Sequence, residues 1–270
     1  MKYKMIACDF DDTLSDSASF ASEKNREAIA KYVASGGKFV LSTGRMISAI
    51  IPHAKYLGLH GEVIGYQGAV IADIDTGKFY NEETIPYESA LKVAKKLDAE
   101  GVYYQIYVHD DYVIPAETPY AEEYAKYTFS PPIIAGMPLS EYIEKNGISP
   151  VKMLIITPPE KVDGYIAELS AEYGDEFLVN TSKKFVVEII RGDVSKAKAV
   201  AALAAKYGIK REEIIAIGDS LNDVPMVEYA GLGVMVANAS EKALKSADYV
   251  CPSCEDNGVA YVIENIALKD

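Results

Sequence analysis

Ala7-Cys8-Asp9-Phe10-Asp11-Asp12-Thr13-Leu14 follows directly on the short run Tyr3-Lys4-Met5-Ile6. The run reads as a buried strand. Three carboxylates then arrive together, at Asp9, Asp11 and Asp12. In an open parallel sheet, chemistry gathers outside the carboxyl ends of the strands. Clustered carboxylates are costly there unless something neutralises them, and a hard cation with oxygen ligands is the usual agent. A solvated turn uses the same residue types, so the rest of the chain has to decide.

Outward from that stretch, strands and helices alternate. Ser22 is an expected N-cap, with Glu23 in the first turn and Gly36-Gly37 as the stop. Lys38-Phe39-Val40-Leu41-Ser42 is the next strand and runs into Thr43-Gly44-Arg45. A helix follows as far as Leu57-Gly58, with Pro52 expected to kink it or mark its start. Val63-Ile64-Gly65 is a third strand, and Asp75-Thr76-Gly77 signals a hairpin. Alternation resumes late in the chain. It comprises an Ala-rich helix over 195–207, the strand Ile214-Ile215-Ala216-Ile217 tipped by Gly218-Asp219, and the strand Gly233-Val234-Met235-Val236.

Between about 86 and 191 the elements lack carboxylate tips. They read as a small α/β unit with its own apolar faces, of which 115–150, rich in Pro and Tyr, is the least legible part. The expected architecture is α/β: a Rossmann-like parallel-sheet core built from 1–84 and 191–270, with a smaller α/β domain inserted at 85–190.

Bulk properties agree with two ordinary domains. The chain has 270 residues and 49% hydrophobic residues. Its 27 basic and 40 acidic residues leave a net charge of −13, which argues against nucleic acid or an anionic membrane as partner. No leader is legible in Met1-Lys2-Tyr3-Lys4 and no window is long enough to span a bilayer, so a cytoplasmic location is expected, with a monomer or weak homodimer as the assembly. The cysteines are Cys8, Cys251 and Cys254. Cys251-Pro252-Ser253-Cys254 has redox or zinc spacing, but no second ligand pair lies near it in sequence, and two small residues at a strand end explain it as well.

Four pieces thus are expected at comparable strand ends: Asp9 to Thr13, Thr43-Gly44-Arg45, Lys196, and Gly218-Asp219-Ser220-Leu221-Asn222-Asp223. Together they offer carboxylates for a metal, a hydroxyl and backbone N–H groups for anion oxygens, and one fixed cation. That set suits phosphoryl transfer, where catalysis is mostly positioning and charge neutralisation. With these motifs in this order around an inserted domain, the chain resembles the haloacid dehalogenase (HAD) superfamily, in particular its Cof-type phosphatases with an α/β cap.

The resemblance implies a Mg²⁺-dependent hydrolase that dephosphorylates a small phosphorylated metabolite, such as a sugar phosphate, through an aspartyl-phosphate. Asp9 is implied as nucleophile and Asp11 as general acid and then base. Asp9, the Asp11 carbonyl and Asp219 are implied as Mg²⁺ ligands, with Asp223 orienting its waters. Thr43, Gly44, Lys196 and Asn222 are implied to bind the phosphoryl group, and Arg45 to reach the leaving group. The chain departs from the family pattern at Asp12 (often Gly), at Tyr66-Gln67-Gly68-Ala69 (usually Asn-Gly-Ala), at Ala197 and at the cysteine loop. Asp tolerates a left-handed turn better than most residues. Specificity is expected in the inserted domain, with His109 and Glu188 as candidates, and linkers at 83–86 and 190–193 as hinges for a closing cap. A phosphotransferase or phosphomutase of phosphomannomutase type is the alternative on the same scaffold, and a receiver-like or binding protein a remote one.

Overall fold

A computed structural model describes residues 1–16, 19–125, 131–181 and 184–269, apart from the side chain of Glu123. Residues 17–18, and 126–130 of the stretch 115–150, lie outside the described residues. The chain divides into two compact units, Met1–Tyr80 with Ser195–Asp270, and Asn81–Val194.

The first unit opens with β1 (Met5–Cys8), α1 (Glu23–Ala34), β2 (Lys38–Leu41), α2 (Ile47–Tyr56), β3 (Glu62–Gly65), β4 (Val70–Asp73) and β5 (Phe79–Glu82). Ser22 caps α1 by accepting from the Asn25 N–H at 3.1 Å. Pro52 lies inside α2 rather than at its start, where it removes one ladder bond. The helix persists because Ile47, Ala49, Ile50, His53 and Ala54 are buried along it. The expected hairpin joins β4 and β5, and Asp73 accepts from the Thr76 N–H and hydroxyl in its turn.

The second unit comprises α3 (Tyr87–Ala99), β6 (Tyr104–Val108), β7 (Asp111–Ile114), α4 (Pro119–Ala125), β8 (Ile133–Ile134), α5 (Leu139–Asn146), β9 (Lys152–Ile156), α6 (Pro159–Tyr173), β10 (Phe177–Asn180) and β11 (Val186–Arg191). Its strands form one sheet in the order β10-β11-β9-β6-β7-β8, antiparallel except for β7 with β8. Strand alternation sends Ile106, Met153, Ile155, Val187 and Ile189 into a core shared with Leu91, Leu97, Ile143 and Leu169 from the helices.

The chain then returns with α7 (Lys196–Lys206), β12 (Ile214–Gly218), α8 (Val224–Tyr229), β13 (Leu232–Val236), α9 (Glu241–Leu244), β14 (Tyr249–Cys251) and α10 (Gly258–Val262). The first unit's central sheet has the order β14-β13-β12-β1-β2 and is parallel throughout. Met5 and Ala7 point into one core with Val200, Leu203, Ile214 and Met226. Buried Ile6 and Cys8 alternate to the opposite face. Parallel pairing of β1 with both β2 and β12 is what brings residues 9, 43 and 219 to the same edge of the sheet.

Candidate active site

The ladder continues one step past β1, with the Asp9 N–H donating to Ile217 at 2.9 Å. The chain then turns sharply. Asp12 takes φ of 60°, and its N–H donates to the Ser15 carbonyl at 2.7 Å. The left-handed turn that commonly uses Gly is therefore made here by Asp, as its tolerance of positive φ allows. Asn238 donates to the Asp12 carbonyl at 2.7 Å and holds the turn from the far side.

Lys196 corrects the expectation that all four pieces sit at strand tips. It is the first residue of α7, with Ser195 as N-cap, and the strand before it belongs to the other unit's sheet. A cation at a helix start is disfavoured by the dipole. Carboxylates hold it there: Lys196 Nζ lies 2.6 Å from Asp9 Oδ1 and 2.6 Å from Asp223 Oδ1, with all three side chains buried. Burial works against the Lys196 charge, yet Asp223 and Asp9 outweigh it and raise its pKa.

Asp223 uses its second oxygen to accept from the N–H groups of Asp219 and Ser220, each at 3.1 Å. Its side chain occupies the space a Cβ at Gly218 would need, 2.3 Å from the Asp223 Cβ, so this loop requires glycine. Asp219 accepts from the Thr13 hydroxyl at 2.9 Å. One carboxylate oxygen each from Asp9, Asp219 and Asp223 fall within 4.8 Å of one another. Burial, then Asp223, push Asp9 well above the usual carboxylate range, and the same two causes push Asp219 up to about 7. Three carboxylates facing one lysine leave surplus negative charge in a sheltered basin, which is the donor chemistry a hard divalent cation fits.

Asp11 stands apart from those three. Its carboxylate is gripped by Arg45, with Nε at 2.9 Å from Oδ2 and Nη2 at 2.7 Å from Oδ1. Thr43 is fully buried, and its hydroxyl accepts from the Arg45 N–H at 3.1 Å. Asn222 donates to Gln67 Oε1 at 2.9 Å. Gln67 is the participant that residue-by-residue reading passed over. It sits at φ of 59°, its N–H donates to the Thr43 carbonyl at 3.0 Å, and its amide occupies the place of a Gly44 side chain. It thus ties the Thr43-Gly44 turn to Asn222, and two glycines bracketing Tyr66-Gln67 were the available signal. Gly68, at φ of 101°, lets the Ser195 carbonyl approach to where a Cβ would stand 2.4 Å away, and so seats the start of α7.

The expected specificity residues belong to the second unit. His109 is exposed at the corner between β6 and β7, at φ of 51°, and pairs with Glu82 at 2.9 Å. Glu188 is buried in the second unit's sheet and pairs with Lys152 at 3.2 Å. Cys251 and Cys254 are free thiols. Burial pushes each up to about 12, the reverse of what a redox dithiol needs. No described helix is long and apolar enough to cross a membrane.

Comparison with known proteins agrees across the whole length. TM0651 from Thermotoga maritima has a crystal structure matching at a TM-score of 0.84 and 30% identity, over 98% of this chain and 97% of that one. Phosphatase YwpJ of Bacillus subtilis is 28% identical over 97% of this chain and 99% of its own length. The 5-amino-6-(5-phospho-D-ribitylamino)uracil phosphatase YwtE of the same organism is 28% identical over 97% and 98%. The profile of the haloacid dehalogenase-like hydrolases matches residues 6–263, and the chain belongs to that family.

Proposed function

We propose that the protein is a Mg²⁺-dependent phosphatase of small phosphorylated metabolites, working through an aspartyl-phosphate on Asp9. One observation carries this reading: Lys196 lies between Asp9 and Asp223, all three buried, with the half-buried Asp219 beside them. Phosphatase names among the full-length relatives support it.

The residues divide the work. An Asp9 carboxylate oxygen attacks phosphorus as the ester P–O bond breaks. Asp11, which takes up a proton as one of its oxygens leaves the Arg45 pair, donates it to the departing alkoxide, then removes a proton from the water that hydrolyses the acyl-phosphate. Lys196 holds Asp9 in place and shields its charge from the incoming dianion. The Thr43 hydroxyl and Gly44 N–H are assigned to the phosphoryl oxygens, with Asn222 held close by Gln67. Asp9, Asp219 and the Asp11 carbonyl would hold Mg²⁺, which when bound supplies Lewis-acid charge neutralisation. Asp223, its oxygens already engaged by Lys196 and the loop N–H groups, acts from behind these ligands.

Residues 81–194 are proposed as the cap that selects the leaving group, supported by their independent hydrophobic core. The central test is acid-quenched mass spectrometry during turnover of a phosphate ester. A phosphate adduct on the peptide carrying Asp9, absent in Asp9→Asn, is expected. Turnover by Asp9→Asn at the wild-type rate would overturn the reading.

A further inference from the structure

We propose that His53 is a positioning residue for this reaction: from the middle of α2 it accepts a hydrogen bond from Arg45 and so orients the guanidinium that clamps Asp11. This rests on the phosphatase reading above and deepens it.

Arg45 spends two nitrogens on the two oxygens of Asp11. Its third, Nη1, lies 3.3 Å from His53 Nε2. A guanidinium only donates, so that contact is a hydrogen bond only if Nε2 is the acceptor. The imidazole is then neutral, with its proton on Nδ1. Its surroundings favour the neutral ring. Burial, and next the charge of Arg45, push His53 down to about 4.

Aromatic packing fixes the ring. Phe10 lies 4.4 Å from it and Phe20 lies 4.5 Å from it, both tilted. Phe10 also presents its ring to the Arg45 guanidinium at 4.8 Å, so one side chain locates both partners. The backbone of Arg45 is held as well: its N–H donates to Thr43 Oγ1, and its carbonyl accepts from the Tyr66 N–H at 3.0 Å. His53 therefore orients the far end of an arginine whose near end is already anchored. A residue merely filling the core would need neither an acceptor nitrogen at that point nor a matching donor.

The consequence falls on proton delivery by Asp11, whose one oxygen carries the proton while the other stays held by the oriented Arg45, and hence on esters whose leaving groups need a proton. Nitrophenolate departs without one and phenolate benefits from one. The experiment measures kcat and KM of wild type, His53→Leu and His53→Gln on p-nitrophenyl phosphate and phenyl phosphate. His53→Leu removes the acceptor and keeps the bulk, whereas Gln Oε1 restores an acceptor. Expected for His53→Leu is a fall in kcat of about tenfold on phenyl phosphate and less than about twofold on p-nitrophenyl phosphate, with KM little changed and most of the loss recovered in His53→Gln. Equal losses on both esters, no loss on either, or a Gln variant no better than Leu would overturn the inference.

A second measurement needs no variant. ¹⁵N NMR of histidine-labelled wild-type protein at pH 7 is expected to show Nε2 unprotonated and Nδ1 protonated for His53. The opposite tautomer overturns the inference even if every variant fails to fold. If wild type hydrolyses neither ester, the phosphatase reading falls, while the tautomer still decides whether His53 accepts from Arg45.

Discussion

Both units bury lysine against carboxylate, and they do it differently. In the second, Lys152 and Glu188 form one pair within a single sheet, each almost inaccessible, with Lys152 also over the Tyr107 ring at 4.6 Å. In the first, Lys196 faces Asp9 and Asp223 with Asp219 adjacent, and these groups come from separate elements. The balanced pair is what a fold needs when it buries charge. The unbalanced group sets three carboxylates against one lysine. Surplus charge, rather than burial of charge, separates a site from a structural pair.

The strongest way to break that contrast is at Asp9. Asp9→Asn is expected to lower kcat by at least about 10³-fold on any phosphate ester, read by phosphate release. A residual rate near wild type would mean that the basin is structural after all. Removing divalent ions by exhaustive chelation should abolish turnover, with recovery on adding Mg²⁺ and heat of binding seen by calorimetry. Calorimetric silence would count against the surplus-charge argument independently of activity.

Stability sharpens the comparison. Lys152→Met removes the buried cation that pairs with Glu188 and should cost about 3–5 kcal/mol in denaturant unfolding, while Lys152→Met with Glu188→Leu should recover most of it. A double variant as unstable as the single would show that the pair is more than structural. Smaller effects lie at His53. Its folded value of about 4 is below the unfolded 6.5, so the unfolded chain takes up the proton first as pH falls. Its contribution is complete above pH 6.5 and lost on descending towards 4, at most about 3 kcal/mol. Relative to His53→Gln, wild type should therefore lose stability across that window, and parallel curves would refute it. The smallest effect is at the cysteine loop: Cys254→Ser should change stability and turnover little, within about 0.5 kcal/mol, because no role is visible for a half-buried thiol whose pKa is raised.

Much of the site was legible because its chemistry is local. Asp9 and Asp11 lie two positions apart, Asp219 and Asp223 four, and Ser195 caps the helix that Lys196 begins. The rest depends on contact over distance. Pro52 read as a kink or a helix start, and the buried side of α2 places it inside the helix. His109 and Glu188 pair with residues 82 and 152, contacts that the sequence does not show. Gln67 looked like a departure from a pattern, and its position shows it joining the Thr43 turn to Asn222.

The amino-acid order by itself determined the alternation of strand and helix, the family, and which side chains carry charge at the turns, since periodicity and caps act over a few residues. Only the tertiary structure decided which charges meet. Parallel pairing of β1 with β2 and β12 converts separations of 34 and more than 200 positions into hydrogen-bond distances, as for Asp11 with Arg45 and Thr13 with Asp219. The electrostatics of a buried group depend on what lies within a few ångströms of it, and that is a property of the packed chain alone.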